Sequence, residues 1–166
     1  MHDPALAQTP PHGPSPAPAA FSWPIRVYWE DTDAGGVVFY ANYLKFFERA
    51  RTEWLRVWGP SQEALRASGA GMFVVSETQV RYVQPAVLDD ELRITVELQE
   101  VGRASMAVRQ QAWRADTLLC EGSIRIGWVQ KTATGSLKPA RMPTDIVACL
   151  MALTPAKTPG ASGVAQ

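Results

Sequence analysis

The sequence predicts an α+β domain in which an antiparallel five-stranded sheet wraps around one long central helix. Large apolar residues recur at helical spacing between residues 40 and 58. Four consecutive segments between residues 72 and 130 alternate apolar and polar residues, and short connections separate them. The chain has 166 residues, of which 46% are apolar, and this suits a single domain with a substantial core.

The first predicted element is a strand at residues 25–30, because apolar and polar side chains alternate in Ile-Arg-Val-Tyr-Trp-Glu. The next six residues, 31–36, read Asp-Thr-Asp-Ala-Gly-Gly and form a cluster of turn formers. We therefore expect a strand that ends in a sharp turn just before the long helix.

The long helix is predicted over residues 40–58, and Gly59-Pro60 ends it. It carries six aromatic side chains, at positions 40, 43, 46, 47, 54 and 58. A helix with this much apolar surface must be covered, and a curled sheet would cover it. Ser61 then caps a short second helix that ends at Gly69.

Four strands are predicted after the helices, at residues 72–83, 91–101, 103–115 and 117–130. The short connections between them favour antiparallel hairpins. We expect the first strand to insert among these four and complete the sheet. A final short helix is predicted to run from Pro143 to Leu153.

The two ends of the chain have a different composition from its middle. Seven of the 13 prolines lie within residues 1–24, and large apolar residues are scarce there. Such a segment buries too little surface to offset the entropy lost on ordering. We predict disordered tails at residues 1–22 and 154–166, and a folded domain at residues 23–153.

Composition excludes several classes of function. The formal net charge is zero and no two basic residues are adjacent, which argues against a nucleic-acid partner. The two histidines, His2 and His12, lie in the predicted tail, so the folded domain has no histidine dyad or histidine-containing zinc site. No apolar stretch reaches the roughly 18 to 20 residues of a membrane span. Cys120 and Cys149 lack metal-site spacing, and a cytoplasmic, reducing location is the simplest interpretation.

The chemistry is predicted to lie at the end of the first strand. Glu30, Asp31 and Asp33 fall within four residues, and Gly35 and Gly36 follow directly. The glycines allow a sharp turn and a close approach to a ligand. The helix start offers unpaired N–H groups with a partial positive charge. A carboxylate facing such amide donors is the pairing that thioester hydrolysis needs.

The same carboxylates have other interpretations from the residues alone. An aspartate at a strand end is often a turn or cap residue. The three carboxylates could also ligate magnesium or calcium, although the calcium-loop pattern is incomplete. Paired carboxylates serve glycoside hydrolysis as well, but the chain is small for a sugar-binding cleft. We predict no metal site and no cofactor.

A longer motif adds a resemblance. The run Glu-Asp-Thr-Asp-Ala-Gly-Gly-Val-Val (30–38) is followed by Tyr-Ala-Asn-Tyr (40–43) and Phe-Phe-Glu-Arg-Ala-Arg-Thr-Glu-Trp-Leu-Arg (46–56). It closely resembles the 4-hydroxybenzoyl-CoA thioesterase family, and within it the Tol–Pal-associated acyl-CoA thioesterase branch. The resemblance covers about residues 25–140. It implies a hot-dog fold and hydrolysis of acyl-CoA, with a short aliphatic or aromatic acyl group, to free acid and coenzyme A.

The resemblance also implies roles for single residues. Asp33, directly before the glycine turn, is the implied nucleophile or general base, and Gly36 lies in that turn beside the substrate. The backbone N–H of Tyr40 is implied to polarise the thioester carbonyl, and members of this branch frequently carry histidine at this position. Arg103 and Ser105 look similar in position to contacts of the coenzyme.

Two other carboxylates are rivals of Asp33. We expect Asp31 to order the loop. Glu48, on the central helix, invites comparison with a hot-dog branch that uses a helix glutamate. A structural interpretation is favoured for Glu48, because Thr52 lies one turn further along the helix.

The resemblance implies a homo-oligomer, a dimer or tetramer with the coenzyme bound between subunits. The alternative function is a non-catalytic hot-dog protein that binds acyl-CoA or acyl carrier protein and is linked to envelope or lipid metabolism. A dehydratase of the same fold would rely on a histidine that the predicted domain lacks.

Overall fold

The computed structural model describes residues 21–59 and 61–153. Residues 1–20 and 154–166, where the tails were predicted, lie outside the described residues. Phe21 and Ser22 belong to the first strand, because they pair with Val96 and Thr95 of a neighbouring strand. The domain boundary predicted at residue 23 is therefore too late by two residues.

The order of elements follows the predicted one, but the first strand, predicted at residues 25–30, lies four residues earlier, and the other elements differ only by small shifts at their ends. The helices are α1 (Asn42–Trp58), α2 (Gln62–Ala67) and α3 (Thr144–Ala152). The strands are β1 (Phe21–Arg26), β2 (Met72–Tyr82), β3 (Glu91–Val101), β4 (Ser105–Arg114), β5 (Thr117–Lys131) and β6 (Leu137–Pro139). A single 3₁₀ turn occupies Trp29–Asp31, where the sequence predicted the end of the first strand.

The strands form one antiparallel sheet in the order β1-β3-β4-β5-β2, and β6 pairs with the end of β5. The five long strands confirm the predicted sheet. β6 was missed because three residues are too few to show alternation. The first strand was expected to insert among the others, but β1 lies at an edge and pairs with β3. An edge position suits Pro24, which has no N–H for a second neighbour.

The long helix α1 buries one stripe against the concave face of the sheet. Its members recur at spacings of three and four residues and are almost completely buried: Tyr43, Phe46, Phe47, Ala50 and Trp54. They pack against the apolar positions of the central strands, such as Leu92, Ile94, Val108 and Ile124. The predicted arrangement, a sheet around an aromatic helix, is thereby confirmed.

The middle of α1 is also joined to the sheet by a buried polar side chain. Gln110 on β4 is fully buried, and its amide donates to the Phe47 carbonyl at 3.0 Å. Its amide oxygen accepts from the Arg51 guanidinium at 2.6 Å. Because both ends of the amide are satisfied, its burial carries no unpaired polar group.

β2 is an edge strand with one open side. β2 pairs with β5 on one side, and no other strand within residues 21–59 and 61–153 covers its second side. The strand is 11 residues long and mostly exposed, and Val74 and Val75 point apolar groups to solvent. Long exposed edges of this kind are templates for pairing with another chain. In the described part of the chain, no helix is long and apolar enough to cross a bilayer.

Two glycines of β5 provide a matched test of core packing. A Cβ at Gly122 would lie 2.9 Å from Phe47, which is fully buried, whereas a Cβ at Gly127 has only a carbonyl oxygen at 3.8 Å. We expect Gly122→Ala to destabilise the fold by about 1–3 kcal/mol through overpacking. Gly127→Ala should be neutral or slightly stabilising, by up to about 1 kcal/mol. Urea unfolding of both variants checks this, and equal effects would contradict the close approach of helix and sheet.

Candidate active site

The segment between β1 and α1 is a tight loop closed by backbone hydrogen bonds. Thr32 and Val38 form an isolated antiparallel bridge. Inside it, the Asp33 N–H donates to the Val37 carbonyl at 2.9 Å, and the Gly36 N–H donates to the Asp33 carbonyl at 3.0 Å. The predicted turn at residues 31–36 is therefore a small hairpin with Asp33 at its base.

Asp31 is a structural residue of this loop. Its side chain is 2% exposed, and Oδ2 accepts from the Tyr28 N–H at 3.0 Å. Its carbonyl accepts from the Phe39 N–H at 2.9 Å and from the Asn42 side-chain amide at 3.0 Å. The hydrogen bonds account for its burial and confirm the prediction that Asp31 orders the loop.

Asp33, in contrast, presents its carboxylate to solvent. Oδ1 accepts from the Gly35 N–H at 2.8 Å, which fixes the orientation of the group. Oδ2 has no hydrogen-bond partner within residues 21–59 and 61–153. One oxygen is thus anchored and the other is open to a reacting molecule.

Gly35 and Gly36 are required in this turn for different structural reasons. A Cβ at Gly35 would lie 3.0 Å from the anchored oxygen of Asp33, so a side chain there would crowd the carboxylate. Gly36 has φ +75°, a left-handed conformation that costs other residues energy. Gly36 also leaves open space, since no atom lies within 4 Å of the Cβ it lacks.

The entrance of α1 supplies amide donors close to this loop. The N–H groups of Tyr40 and Ala41 have no acceptor within the described part of the chain. The Phe39 carbonyl accepts from the Asn42 N–H at 2.8 Å, which holds the peptide that carries the Tyr40 N–H. The Tyr40 side chain is 63% exposed. Free amides at a helix start attract developing negative charge.

A buried tyrosine supports the loop from below. The Val38 N–H donates to the Ala86 carbonyl at 2.8 Å, and the Ala86 N–H in turn donates to the Tyr43 hydroxyl at 2.9 Å. Burial raises the pKa of the Tyr43 hydroxyl, which stays protonated at neutral pH. Sequence reasoning missed this role. The available signal was a tyrosine on a fully apolar stripe, where its hydroxyl must find a partner.

The turn between β2 and β3 is fixed by a second polar contact. Asp90 Oδ2 accepts from the Val87 N–H at 2.9 Å and from the Arg114 guanidinium at 2.7 Å. Val87 also forms an isolated bridge with Val37 of the Asp33 loop. The position of Asp33 is therefore set by contacts that reach β3 and β4.

Arg103 and Ser105 do not lie beside Asp33 in one chain. They belong to the β3–β4 hairpin, whereas the Asp33 loop contacts the turn that precedes the opposite end of β3. β3 has 11 residues, so the two ends are about 35 Å apart at roughly 3.3 Å per residue. Arg103 is exposed, and its carbonyl accepts from the Met142 N–H at 2.9 Å. The predicted residues thus fall into two separate groups: Asp33, Gly36 and Tyr40, and Arg103 with Ser105.

The remaining candidates have structural surroundings. Glu48 Oε1 accepts from the Thr52 hydroxyl at 2.7 Å, as the helical spacing predicted. Burial raises the pKa of the Cys120 thiol to about 12, which makes it a poor nucleophile at neutral pH. Within residues 21–59 and 61–153, no three acidic, histidine or cysteine side chains are placed to share a metal ion.

Comparison with known proteins fixes the family. Residues 35–121, more than half of the chain, match the thioesterase superfamily. The chain belongs to this superfamily. The chain is 45% identical over 129 residues to the acyl-CoA thioester hydrolase YbgC of Escherichia coli O6:H1, with 77% of this chain and 93% of that protein covered. It is 41% identical over 128 residues to the acyl-CoA thioesterase YbgC of Haemophilus influenzae, covering 77% and 92% of the two chains.

Solved structures support the same assignment. A probable thioesterase from Bartonella henselae superposes with a TM-score of 0.69 at 33% identity, over 75% of this chain and all of that one. The 4-hydroxybenzoyl-CoA thioesterase of Pseudomonas sp. strain CBS-3 has a TM-score of 0.73 at 19% identity, over 79% and 99% of the two chains, and shows the fold alone. The predicted thioesterase and its hot-dog fold are confirmed. The superfamily match begins at residue 35, so it does not bear on Asp33.

Gly36 allows a test of the loop conformation. We expect Gly36→Ala to destabilise the fold by about 1–2 kcal/mol, because alanine pays the cost of the left-handed conformation. Gly36→Asn should cost less, since asparagine visits this region more readily. Neither side chain meets an atom at the Cβ position, so the difference isolates backbone strain. Urea unfolding measures it, and an asparagine variant as unstable as the alanine variant would contradict the assigned conformation.

Proposed function

We propose that this chain hydrolyses the thioester of acyl-coenzyme A to a free acid and coenzyme A, with Asp33 as nucleophile or general base. One observation carries the proposal. Asp33 has one carboxylate oxygen anchored by the Gly35 N–H and the other open, in a loop that leads directly to the unpaired amides at the start of α1. The names of the YbgC relatives support acyl-CoA as the substrate class.

The chemistry needs two groups on opposite sides of the thioester. In the general-base route, Asp33 takes a proton from water, and the water oxygen bonds to the carbonyl carbon. The carbonyl oxygen becomes an oxyanion, which the Tyr40 N–H would stabilise. When the oxyanion collapses, the carbon–sulfur bond breaks and the thiolate leaves, to be protonated by Asp33 or solvent. In the nucleophilic route, the carboxylate attacks the carbonyl carbon and the carbon–sulfur bond breaks to release the thiolate. Water then hydrolyses the resulting anhydride to the free acid and restores the Asp33 carboxylate.

The side chains available suit this reaction. No histidine occurs in residues 21–153, so a proton relay must use other groups. A thiolate is a stable leaving group and needs little help from a general acid. Because Asp33 is exposed and its open oxygen has no cation beside it within the described residues, the carboxylate is free to act.

The proposed site includes a second chain, and the sheet explains how. Ser105, Gly127 and Val74 lie in one row across β4, β5 and β2, so the Arg103 hairpin is two strands, about 10 Å, from the open edge. Tyr82 marks the other end of β2, near Tyr40. If two β2 edges pair about a two-fold axis, the Tyr82 end of one chain meets the Val74 end of the other. Asp33 of one chain then approaches the Arg103 hairpin of its neighbour.

This arrangement reunites the two groups of predicted residues. The thioester would lie between Asp33 and Tyr40 of one subunit, and the phosphates of coenzyme A would lie near Arg103 and Ser105 of the other. An extended coenzyme suits the distance between the Asp33 loop of one subunit and the Arg103 hairpin of the other better than a compact ligand does. We therefore propose a homo-oligomer built on a dimer, and a tetramer would combine two such dimers.

The acyl group is proposed to be short and aliphatic, or aromatic. Aromatic side chains surround the open end of the loop. The rings of Phe39 and Tyr40 are 4.6 Å apart, and Tyr82 packs edge-on against Tyr40 at 6.3 Å. Such a surface favours flat or small apolar groups. The resemblance of residues 30–56 further supports the Tol–Pal-associated branch, and the spacing of the two cysteines favours a reducing, cytoplasmic location.

A second candidate function is binding without turnover. Tyr40 stands where relatives of this branch frequently carry histidine, and its exposed ring could hold an acyl group without assisting its hydrolysis. The partner would be acyl-CoA or acyl carrier protein. This candidate predicts tight acyl-ligand binding with no Asp33-dependent release of thiol, so the first experiment separates the two functions.

The first experiment replaces the proposed catalyst. Thiol release from a panel of acyl-CoA substrates should fall about 100- to 10,000-fold in Asp33→Asn, as expected for the loss of a general base or nucleophile. Glu30→Gln is the matched control, because Glu30 is an exposed carboxylate three residues away. It should stay within about twofold of wild type. Equal rates for Asp33→Asn and wild type would remove Asp33 from the mechanism.

The second experiment tests the shared site. If both residues serve the site, we expect low activity at low acyl-CoA concentration from two variants, Asp33→Asn and Arg103→Glu. When they are mixed and allowed to exchange subunits, half of the dimers carry one intact site, so activity should return to about one quarter of wild type. Mixing Asp33→Asn with Asp33→Ala is the control and restores nothing. Native mass spectrometry shows whether the subunits have exchanged. A mixture that stays inactive after exchange would contradict the shared site.

A further inference from the structure

Tyr82, at the end of β2, contacts the entrance of α1 through its hydroxyl. The hydroxyl donates to the Tyr40 carbonyl at 3.0 Å, across 42 positions of sequence. In a regular helix this carbonyl would accept from the Leu44 N–H, but the Leu44 N–H donates to the Ala41 carbonyl instead, at 3.1 Å. Tyr82 thus supplies a hydrogen bond that the helix does not make.

The partner of this hydrogen bond is one half of a peptide group. The Tyr40 carbonyl and the Ala41 N–H belong to the same planar trans peptide, so they point in opposite directions. The carbonyl points along α1 to Tyr82, and the N–H therefore points out of the helix entrance. Ala41 already has a helical conformation, with φ −73° and ψ −19°. The neighbouring Tyr40 N–H is held in the same way by the Asn42-to-Phe39 hydrogen bond.

We propose that Tyr82 is a positioning residue of the thioesterase reaction: by holding the Tyr40 carbonyl, it aims the Ala41 N–H at the oxyanion as a second donor beside the Tyr40 N–H. The inference rests on the proposed function and adds to it a residue outside the loop–helix motif. Tyr82 itself touches neither the thioester nor Asp33 in this mechanism.

Two effects make the hydroxyl useful. A hydrogen bond to a peptide carbonyl polarises the whole group, so the N–H at its other end becomes a stronger donor. The same bond restricts rotation of the peptide, so the donor is already oriented when charge develops. Partial desolvation raises the pKa of the Tyr82 hydroxyl, although the residue is 47% exposed, and the hydroxyl remains a neutral donor over the physiological range.

The surrounding rings hold Tyr82 independently of its hydroxyl. Its ring packs edge-on against Tyr43 at 5.7 Å and against Tyr40 at 6.3 Å. Tyr82→Phe therefore keeps these contacts and removes one hydrogen bond. If this hydrogen bond had only a structural role, its loss would lower the stability of the fold. It would not weaken the binding of the oxyanion more than the binding of the ground state of the substrate.

The experiment compares Tyr82→Phe with wild type in kinetics and in binding of two coenzyme A analogues. We expect kcat to fall about tenfold, less than the roughly 100- to 1,000-fold loss when an oxyanion donor is removed outright. KM should stay within about twofold. A trifluoromethyl ketone analogue, which forms an oxyanion-like adduct, should bind about tenfold more weakly, while an S-alkyl thioether without a carbonyl binds equally to both proteins.

Tyr28→Phe is the matched control, because Tyr28 is 61% exposed and its hydroxyl has no partner within the described residues. It should change none of these quantities. Difluorotyrosine at position 82 keeps the hydroxyl and makes it a stronger donor, so kcat at pH 6 should equal or exceed wild type. This variant also decides the question if Tyr82→Phe fails to fold.

Each outcome has one meaning. A Tyr82→Phe enzyme with wild-type kcat, or one that weakens both analogues equally, overturns the role of Tyr82 and leaves Asp33 untouched. A difluorotyrosine enzyme with a reduced kcat overturns it as well. A wild-type protein that releases no thiol from any acyl-CoA refutes the proposed function itself.

Discussion

The candidate site depends on one hydrogen bond between the first turn of α1 and the turn before β3. The Tyr43 ring is buried under the loop, and its hydroxyl accepts the Ala86 N–H at 2.9 Å. The next peptide group along the chain, which carries the Ala86 carbonyl, meets the Asp33 loop, because this carbonyl accepts from the Val38 N–H. One tyrosine therefore joins helix, sheet and loop. This junction positions the loop, and the Gly35 N–H then orients the Asp33 carboxylate within it.

Much of the fold follows from local patterns, and the errors have physical causes. Alternation over residues 72–130 placed four strands within two residues of their ends, since one buried face fixes the period. The edge position of β1 was missed because an alternating pattern does not reveal which neighbours a strand has. Residues 29–31 continue the alternation but form a 3₁₀ turn, since the hydrogen bonds of Asp31 outweigh strand propensity there.

The residues of the candidate site also fall into those that a local sequence pattern predicts and those that it does not. The placement of Asp33 before two glycines is a local feature, and the loop geometry agrees with it. Tyr43, Asp90 and Tyr82 act through contacts 24 to 43 positions away, and a single sequence carries no record of such pairs. Arg103 was predicted at the start of a strand and lies in the turn just before β4. Its separation from Asp33 follows only from the direction of β3, which no local pattern gives.

Pro24 has a consequence for assembly size. The sheet has two edges, β1 and β2, and chains that could join both edges would polymerise into a filament. Proline in the middle of β1 lacks an N–H and interrupts the row of donors that an incoming strand would need. In the proposed dimer, growth of the sheet would therefore be confined to β2, because a pair joined there presents only its two β1 edges, which Pro24 interrupts. Such an association would limit itself, and the protein could expose a long sheet edge without forming fibres.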